Sequence, residues 1–191
     1  MTTCLRRVSL LFLFLPLCSF SPFDDCGDYR WDYKILVDPT GWPLLNKKPK
    51  SKTISSLNQI ARPAKLGKQR TPFETWKVTV TAWVVMLGKE DDRDYHLVLT
   101  NNNRTDSLIA EIPDPTCNKV QQFPALVKKY GDARTFVEDS IKAPTTEVKE
   151  LDQPVKVKVT GFLFFDKMSH GSGHAKNGIE IHPITAIKLA D

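Results

Sequence analysis

The four histidines of the chain stand at His96, His170, His174 and His182, and an acidic residue stands two positions before His96 and before His182. Asp92, Asp94 and His96 alternate with the other residues of their segment, so an extended backbone puts them on one face, opposite Tyr95, Leu97 and Leu99. Glu180 and His182 repeat the arrangement against Ile179 and Ile181, and Glu111 sits between Ala110 and Ile112. Asp166 closes an apolar run, and His170-Gly171-Ser172-Gly173-His174 follows it. Carboxylates and imidazoles on neighbouring strands are the donors of a divalent metal site or of a general acid–base pair. Imidazole suits zinc and other late metals, and carboxylate suits magnesium, calcium or manganese. Asp94, Glu111 and His182 are the candidate metal ligands. Asp94, His96, Glu180 and His182 are the candidate catalytic residues, with Glu180 or His96 moving a proton in a metal-assisted phosphodiester hydrolysis. Asp92, Glu111, Asp166, His170 and His174 are candidate binding residues. The same groups also have a structural use, since Asp and His at strand ends satisfy turn backbone groups and a buried Glu–His pair needs no substrate. No H-E-x-x-H, nucleophile elbow or C-x-x-C occurs, which removes the zincin, α/β-hydrolase, zinc-ribbon and thioredoxin-type readings. Gly171, Gly173 and Gly178 can offer backbone N–H groups to a phosphate, but with no helix following they read as an ordinary loop.

The elements that must position these residues are mostly strands. Phe73–Leu87 is long, with Trp76, Val78, Val80 and Ala82 alternating against Lys77, Thr79 and Thr81. A polar connection, Gly88 to Arg93, leads to a second strand at Asp94–Thr100. The Asn101-Asn102-Asn103 turn leads to a third at Ser107–Ile112. A helix is expected from about Pro124 to Ile141, with Gly131 a place where it can break in two. Val155–Asp166 is the fourth strand, with a bulge at Gly161, and Ile179–Leu189 is the fifth. The expected fold is therefore mainly β with one helix, a five-stranded OB-like barrel in the order β-β-β-α-β-β, carrying an N-terminal arm. A generic α+β sandwich is the rival.

The 191 residues are 41% hydrophobic and 26% charged, which excludes wholesale disorder and a multispan membrane protein. Arg6 and Arg7 before the apolar run Val8–Leu17, then Cys18 and Ser19, read as a secretory signal peptide over residues 1–19. The run is too short to span a bilayer. Leu15-Pro16-Leu17-Cys18 approaches a lipoprotein box, but Leu17 is large where a small residue belongs, so a secreted or periplasmic location is expected ahead of a lipid anchor. Without residues 1–19 the chain has 25 basic and 22 acidic residues, a formal +3, too weak to argue for nucleic acid by charge alone. Cys26 and Cys117 remain, an even pair expected to form a disulfide in an oxidising compartment. Residues 20–72 read as an arm with a short helix near Thr53–Ile60, and 73–191 as the domain. Lys47, Lys48, Lys50 and Lys52 have no aromatic residues among them and read as a solvated stretch.

Four blocks carry a resemblance. Asp92–Leu99 (DRDYHLVL), Ile109–Cys117 (IAEIPDPTC), Val159–Asp166 (VTGFLFFD) and Asn177–Pro183 (NGIEIHP), opened by Cys26–Asp32, resemble a family of exported bacterial proteins of uncharacterised function. The resemblance runs from about residue 72 to 188 and implies that Asp94, His96, Glu111, Asp166, His170, Glu180 and His182 are the family's recurring polar positions. Three residues separate Asp166 from His170 where the family has two, so His174 is a possible substitute for His170. No activity comes with the resemblance. Two functions stay open: a binding module for an oligonucleotide or oligosaccharide, with Trp76, Trp83, Phe162 and Phe164 as candidate stacking residues, and a metal-dependent phosphodiesterase or nuclease. Signal cleavage after Ser19 predicts an exported product beginning at Phe20, which N-terminal sequencing checks.

Overall fold

In the computed structural model, residues 26–27, 29–168 and 173–191 are described. The signal segment 1–19 and His170 lie outside them.

The chain is mainly β with one long helix. In order come α1 (Trp31–Lys34), β1 (Lys50–Ser51), α2 (Ile54–Asn58), β2 (Lys77–Lys89), β3 (Tyr95–Thr100) and β4 (Ser107–Ile112). Then follow α3 (Asn118–Gln121), α4 (Pro124–Ser140), β5 (Lys149–Phe165) and β6 (Ile179–Leu189). The sheet has six strands in the order β1-β2-β3-β4-β6-β5, and β2 also pairs with β5, so the pairings return to β2. It is not a regular barrel: the short β1 is added in parallel to β2, and β4 meets β6 through the single parallel pair Ala110–Ile181. The long β2 pairs with β5 along most of its length and with β3 from Trp83 to Lys89. The β2 register shifts between Val84 and Met86, where the strand turns from one half of the sheet to the other. The expected bulge at Gly161 is present as register shifts on both sides of it. A Cβ there would lie 2.4 Å from both Ile181 Cγ2 and Pro183 O, so only glycine fits where β6 crosses.

Alternating valines and leucines of β2, β3 and β5 fill the interior, among them Val78, Val80, Leu97, Leu99, Val157 and Val159. Helix α4 packs against β6 and β4. It buries Leu126, Tyr130, Ala133 and Val137, the i, i+4, i+7, i+11 spacing of one helical face. Gly131 does not break it. The helix runs through from Pro124 to Ser140, because Gly131 faces open space and the buried face on either side is continuous.

The arm is a packed layer rather than a tail. Trp31, Ile35, Leu36, Leu44, Leu45, Ile54 and Leu57 are buried in the core shared with the sheet. Thr53 caps α2 reciprocally with Ser56. Cys26 and Cys117 are bonded, with Cα atoms 5.9 Å apart across a sequence separation of 91. Lys47, Lys48 and Lys50 are exposed, as expected of a solvated stretch. Even so, Lys50 and Ser51 pair with Val78 and Thr79, which brings Lys50 and Lys52 to 5.7 and 5.0 Å from the centre of the Trp76 ring. Strand pairing supplies the aromatic that the local sequence lacks. Among the described residues no helix is long and apolar enough to cross a membrane.

Glu74 ties the arm to the sheet. Arg30 donates to both its oxygens at 2.6 and 2.9 Å, and the Thr71 and Phe165 amides donate at 2.7 and 3.0 Å. Burial of Glu74 favours its neutral form, but these four donors outweigh burial and hold its pKa below the ordinary 4.5. A folded pKa below the unfolded one means stability that is complete above pH 4.5 and lost as pH falls through the folded value. Glu74→Gln is therefore expected to destabilise the protein by about 3 kcal/mol at neutral pH. The difference from the parent should shrink steadily below pH 4.5 in urea titrations at a series of pH values.

Candidate functional site

Three strands and the end of one connection bring the polar residues together. His96 on β3 lies directly across from Glu111 on β4, so their side chains share a face. The parallel Ala110–Ile181 pair sets Glu111 beside Glu180 and His182 of β6. Asp94 immediately precedes β3 and accepts the Asp114 amide at 3.0 Å through Oδ1. The face is inward: the Asp94, Glu111, Glu180 and His182 side chains are 0–4% exposed, and that of His96 is 6% exposed. Both faces of β3 are buried, since Leu97 and Leu99 enter the core while His96, Val98 and Thr100 are also covered.

The distances are those of one cluster. His182 Nδ1 is 2.7 Å from Glu111 Oε2 and 3.3 Å from Glu180 Oε1, and its Nε2 is 3.2 Å from Asp94 Oδ2. His96 Nδ1 is 2.9 Å from Glu111 Oε1 and 2.7 Å from Glu90 Oε1. Lys34, from the last turn of α1, places Nζ 3.7 Å from Glu111 Oε2 and 3.5 Å from Asp166 Oδ2. Proximity does not mean alignment. Asp94 Oδ2, Glu111 Oε2 and His182 Nε2 are buried without a well-aligned hydrogen bond, so the close approaches of His182 to Asp94 and Glu111 act chiefly as ion-pair contacts.

Three buried acids, Asp94, Glu111 and Glu180, thus meet three buried bases, Lys34, His96 and His182. Burial works against the charged imidazole of His96, yet hydrogen bonds to Glu111 and Glu90 push it up to about 10. His182 is raised well above the usual histidine range, its burial and the Lys34 charge outweighed by Glu111 and Asp94. Lys34 is likewise raised: desolvation opposes its charge, and Glu111, Glu180 and Asp166 more than offset it. Burial would raise Glu111, but His182, His96 and Lys34 hold it well below the carboxylate range. The other two acids go the opposite way. Burial pushes Asp94 up to about 7 against the pull of His182, and burial with the Glu111 charge pushes Glu180 up to about 7. The group is a charge-balanced network that holds protons near neutrality.

The remaining predicted residues lie around it. Asp92 accepts the Asp94 amide at 3.2 Å and is raised by burial and by Glu111. Asp166 joins through Lys34, while its backbone carbonyl accepts Arg62 Nη2 at 2.6 Å. The His174 ring centre is 6.5 Å from that of His96, and burial and the His96 charge lower its pKa. Of the proposed stacking residues, Phe162 and Phe164 are fully buried and have no face to offer: Phe162 lies in the core, and the Phe164 ring is covered by His182, 6.0 Å between ring centres, and by the Arg30 guanidinium at 5.0 Å. Trp76 is half-buried against Phe73, with ring centres 5.1 Å apart. Trp83 is half-buried and lines a surface cleft of about 420 Å³ with Asn102, Arg104, Pro154 and Lys156. Its Nε1 donates to Asn102 Oδ1 at 3.1 Å.

Sequence reasoning missed Lys34 and Glu90. Lys34 does carry a signal: it stands three residues after Trp31 and directly before Ile35-Leu36, a lysine on an apolar helical face. Glu90 carries none, since it is one charge among several in a polar connection.

No protein-family model matches the chain, and no curated protein matches it. Among solved structures, it is similar to an OBody bound to hen egg-white lysozyme. That similarity has 12% identity and a TM-score of 0.41, covering 76% of this chain and 98% of that one. A second OBody bound to hen egg-white lysozyme shares 13% identity at a TM-score of 0.34, covering 60% of this chain and 80% of the other.

His182→Ala removes the one cation set between three carboxylates that water does not reach. It is expected to cost about 3 kcal/mol of stability, read as a lower urea midpoint. An unchanged midpoint would show that the ring is not buried among them.

Proposed function

We propose that the chain is an exported OB-like domain that binds rather than cleaves, and that its ligand is single-stranded oligonucleotide laid in the Trp83 cleft. The pairing order β2-β3-β4-β6-β5 and back to β2, with α4 between β4 and β5 in the chain, supports the OB-like reading. Residues 1–19 and the bonded Cys26–Cys117 pair support export.

The observation that carries the binding reading is the contrast between the two polar regions. The candidate catalytic residues Asp94, Glu180 and His182 are enclosed and present no face to a phosphodiester, which weighs against the nuclease alternative. The cleft is open and combines an indole with the cations of Arg104 and Lys156. Lys158 is exposed on the same strand as Lys156, two residues further on, and so extends the positive side of the cleft along β5. A ring for stacking beside cations for the backbone is the arrangement that holds single strands without reading sequence.

Fluorescence anisotropy with a short labelled oligothymidine is the test. Binding should weaken as salt rises, Trp83→Ala should weaken it at least about tenfold, and Lys156→Ala should flatten the salt dependence. Saturable binding of a neutral oligosaccharide in place of the oligonucleotide would overturn the ligand class. Chelator-sensitive cleavage of plasmid DNA would overturn the choice of binding over catalysis.

A further inference from the structure

The two carboxylate oxygens of Glu111 face different neighbours. Oε1 is 2.9 Å from His96 Nδ1, which is itself 2.7 Å from Glu90 Oε1. Oε2 is 2.7 Å from His182 Nδ1, and the same ring reaches Asp94 Oδ2 at 3.2 Å through Nε2. In each group, Glu90–His96–Glu111 and Asp94–Glu111–His182, one donor atom per residue lies within 4.8 Å of the others. Ligands of a single ion have that spacing, since metal–oxygen and metal–nitrogen bonds run about 2.0–2.6 Å.

We propose that the cluster is a two-cation centre in which Glu111 bridges one divalent ion held with Glu90 and His96 and a second held with Asp94 and His182. The second position also holds buried polar atoms that no hydrogen bond satisfies. Asp94 Oδ2, Glu111 Oε2 and His182 Nε2, on residues at most 3% exposed, make no aligned hydrogen bond and are met only by ion-pair contacts, Asp94 to His182 at 3.2 Å and Glu111 to His182 and Lys34 at 2.7 and 3.7 Å; they belong to the three residues of that group. A purely internal network would be expected to turn these atoms into hydrogen bonds. The donor chemistry of both positions is one imidazole and two carboxylates, which selects a first-row divalent ion such as manganese, iron or zinc over all-oxygen calcium or magnesium sites. Ions have a route in. The Glu90 side chain is 38% exposed, and Glu90 and Asp92 line an open surface recess of about 380 Å³ beside the cluster. Lys34 and the imidazolium rings neutralise the carboxylates when no ion is bound. The centre stands apart from the Trp83 cleft, so it holds or fails independently of the oligonucleotide reading.

The test is manganese binding to the full-length exported protein, freed of metal by dialysis, measured by equilibrium dialysis with elemental analysis and by electron paramagnetic resonance. The expected result is two ions per chain with the spectrum of a spin-coupled pair. Glu90→Gln, a change at a half-exposed residue that leaves the core intact, should reduce this to one uncoupled ion. His182→Gln should also leave one, and Glu111→Gln should abolish the coupling. Binding of no ion would overturn the centre. Binding of a single ion by the parent protein, or two uncoupled ions, would overturn the bridge, as would a Glu90→Gln protein that still binds a coupled pair.

Discussion

A carboxylate taken out of water has to be neutralised by whatever the chain can carry to it, and two such carboxylates organise this protein. Glu74 is wholly buried where the chain enters β2, and Glu111 is 3% exposed at the end of β4. Both draw a cation from the same short piece of backbone. Arg30, the residue just before α1, and Lys34, the last residue of α1, answer Glu74 and Glu111 respectively. The first turn of the described chain is thus a counter-ion for two parts of the sheet.

This explains why so small an element is held from so many directions. Arg30 also donates to the Phe165 carbonyl, and Lys34 lies 5.8 Å from the centre of the Phe164 ring. Tyr130 of α4 donates to the Ile35 carbonyl at 2.8 Å, and the bond between Cys26 and Cys117 holds the chain just ahead of the turn. Buried ion pairs of this kind add little net stability compared with an apolar core of the same shape, but they are very sensitive to loss of one partner. Their effect is to fix where α1 lies, while the valines and leucines of the sheet supply the driving force.

Local physics was legible in the sequence, and distant physics was not. Ser107–Ile112 and Ile179–Leu189 have the predicted ends because alternation and turn residues set strand limits within a few positions. The start of β5 was missed by six residues. Lys149-Glu150-Leu151-Asp152 shows no apolar alternation, and it is a strand only because Met86 and Leu87, beyond the β2 shift, lie opposite. The alternation of Asp94, His96, Glu180 and His182 located the cluster, but the inward direction of that face depends on the arm and on β6, which no local pattern contains. Lys34 was hidden for the same reason, as its partners lie at residues 111 and 166. The aromatic beneath Lys50 and Lys52 was equally invisible, because it arrives through pairing with β2.

The order of synthesis gives the position of Lys34 a further meaning. Its segment precedes in synthesis every partner it needs, since Glu111, Asp166 and the β6 residues all follow it in the chain. An emerging N-terminal portion would hold a lysine with no acid and, once β4 follows, a glutamate with no histidine from β6. A portion that ends before β6 therefore leaves these charges without their full set of partners. Burial of charge between segments far apart in the chain thereby ties closure of this interior to contacts of long sequence separation, the kind that form slowly because loop closure precedes any gain.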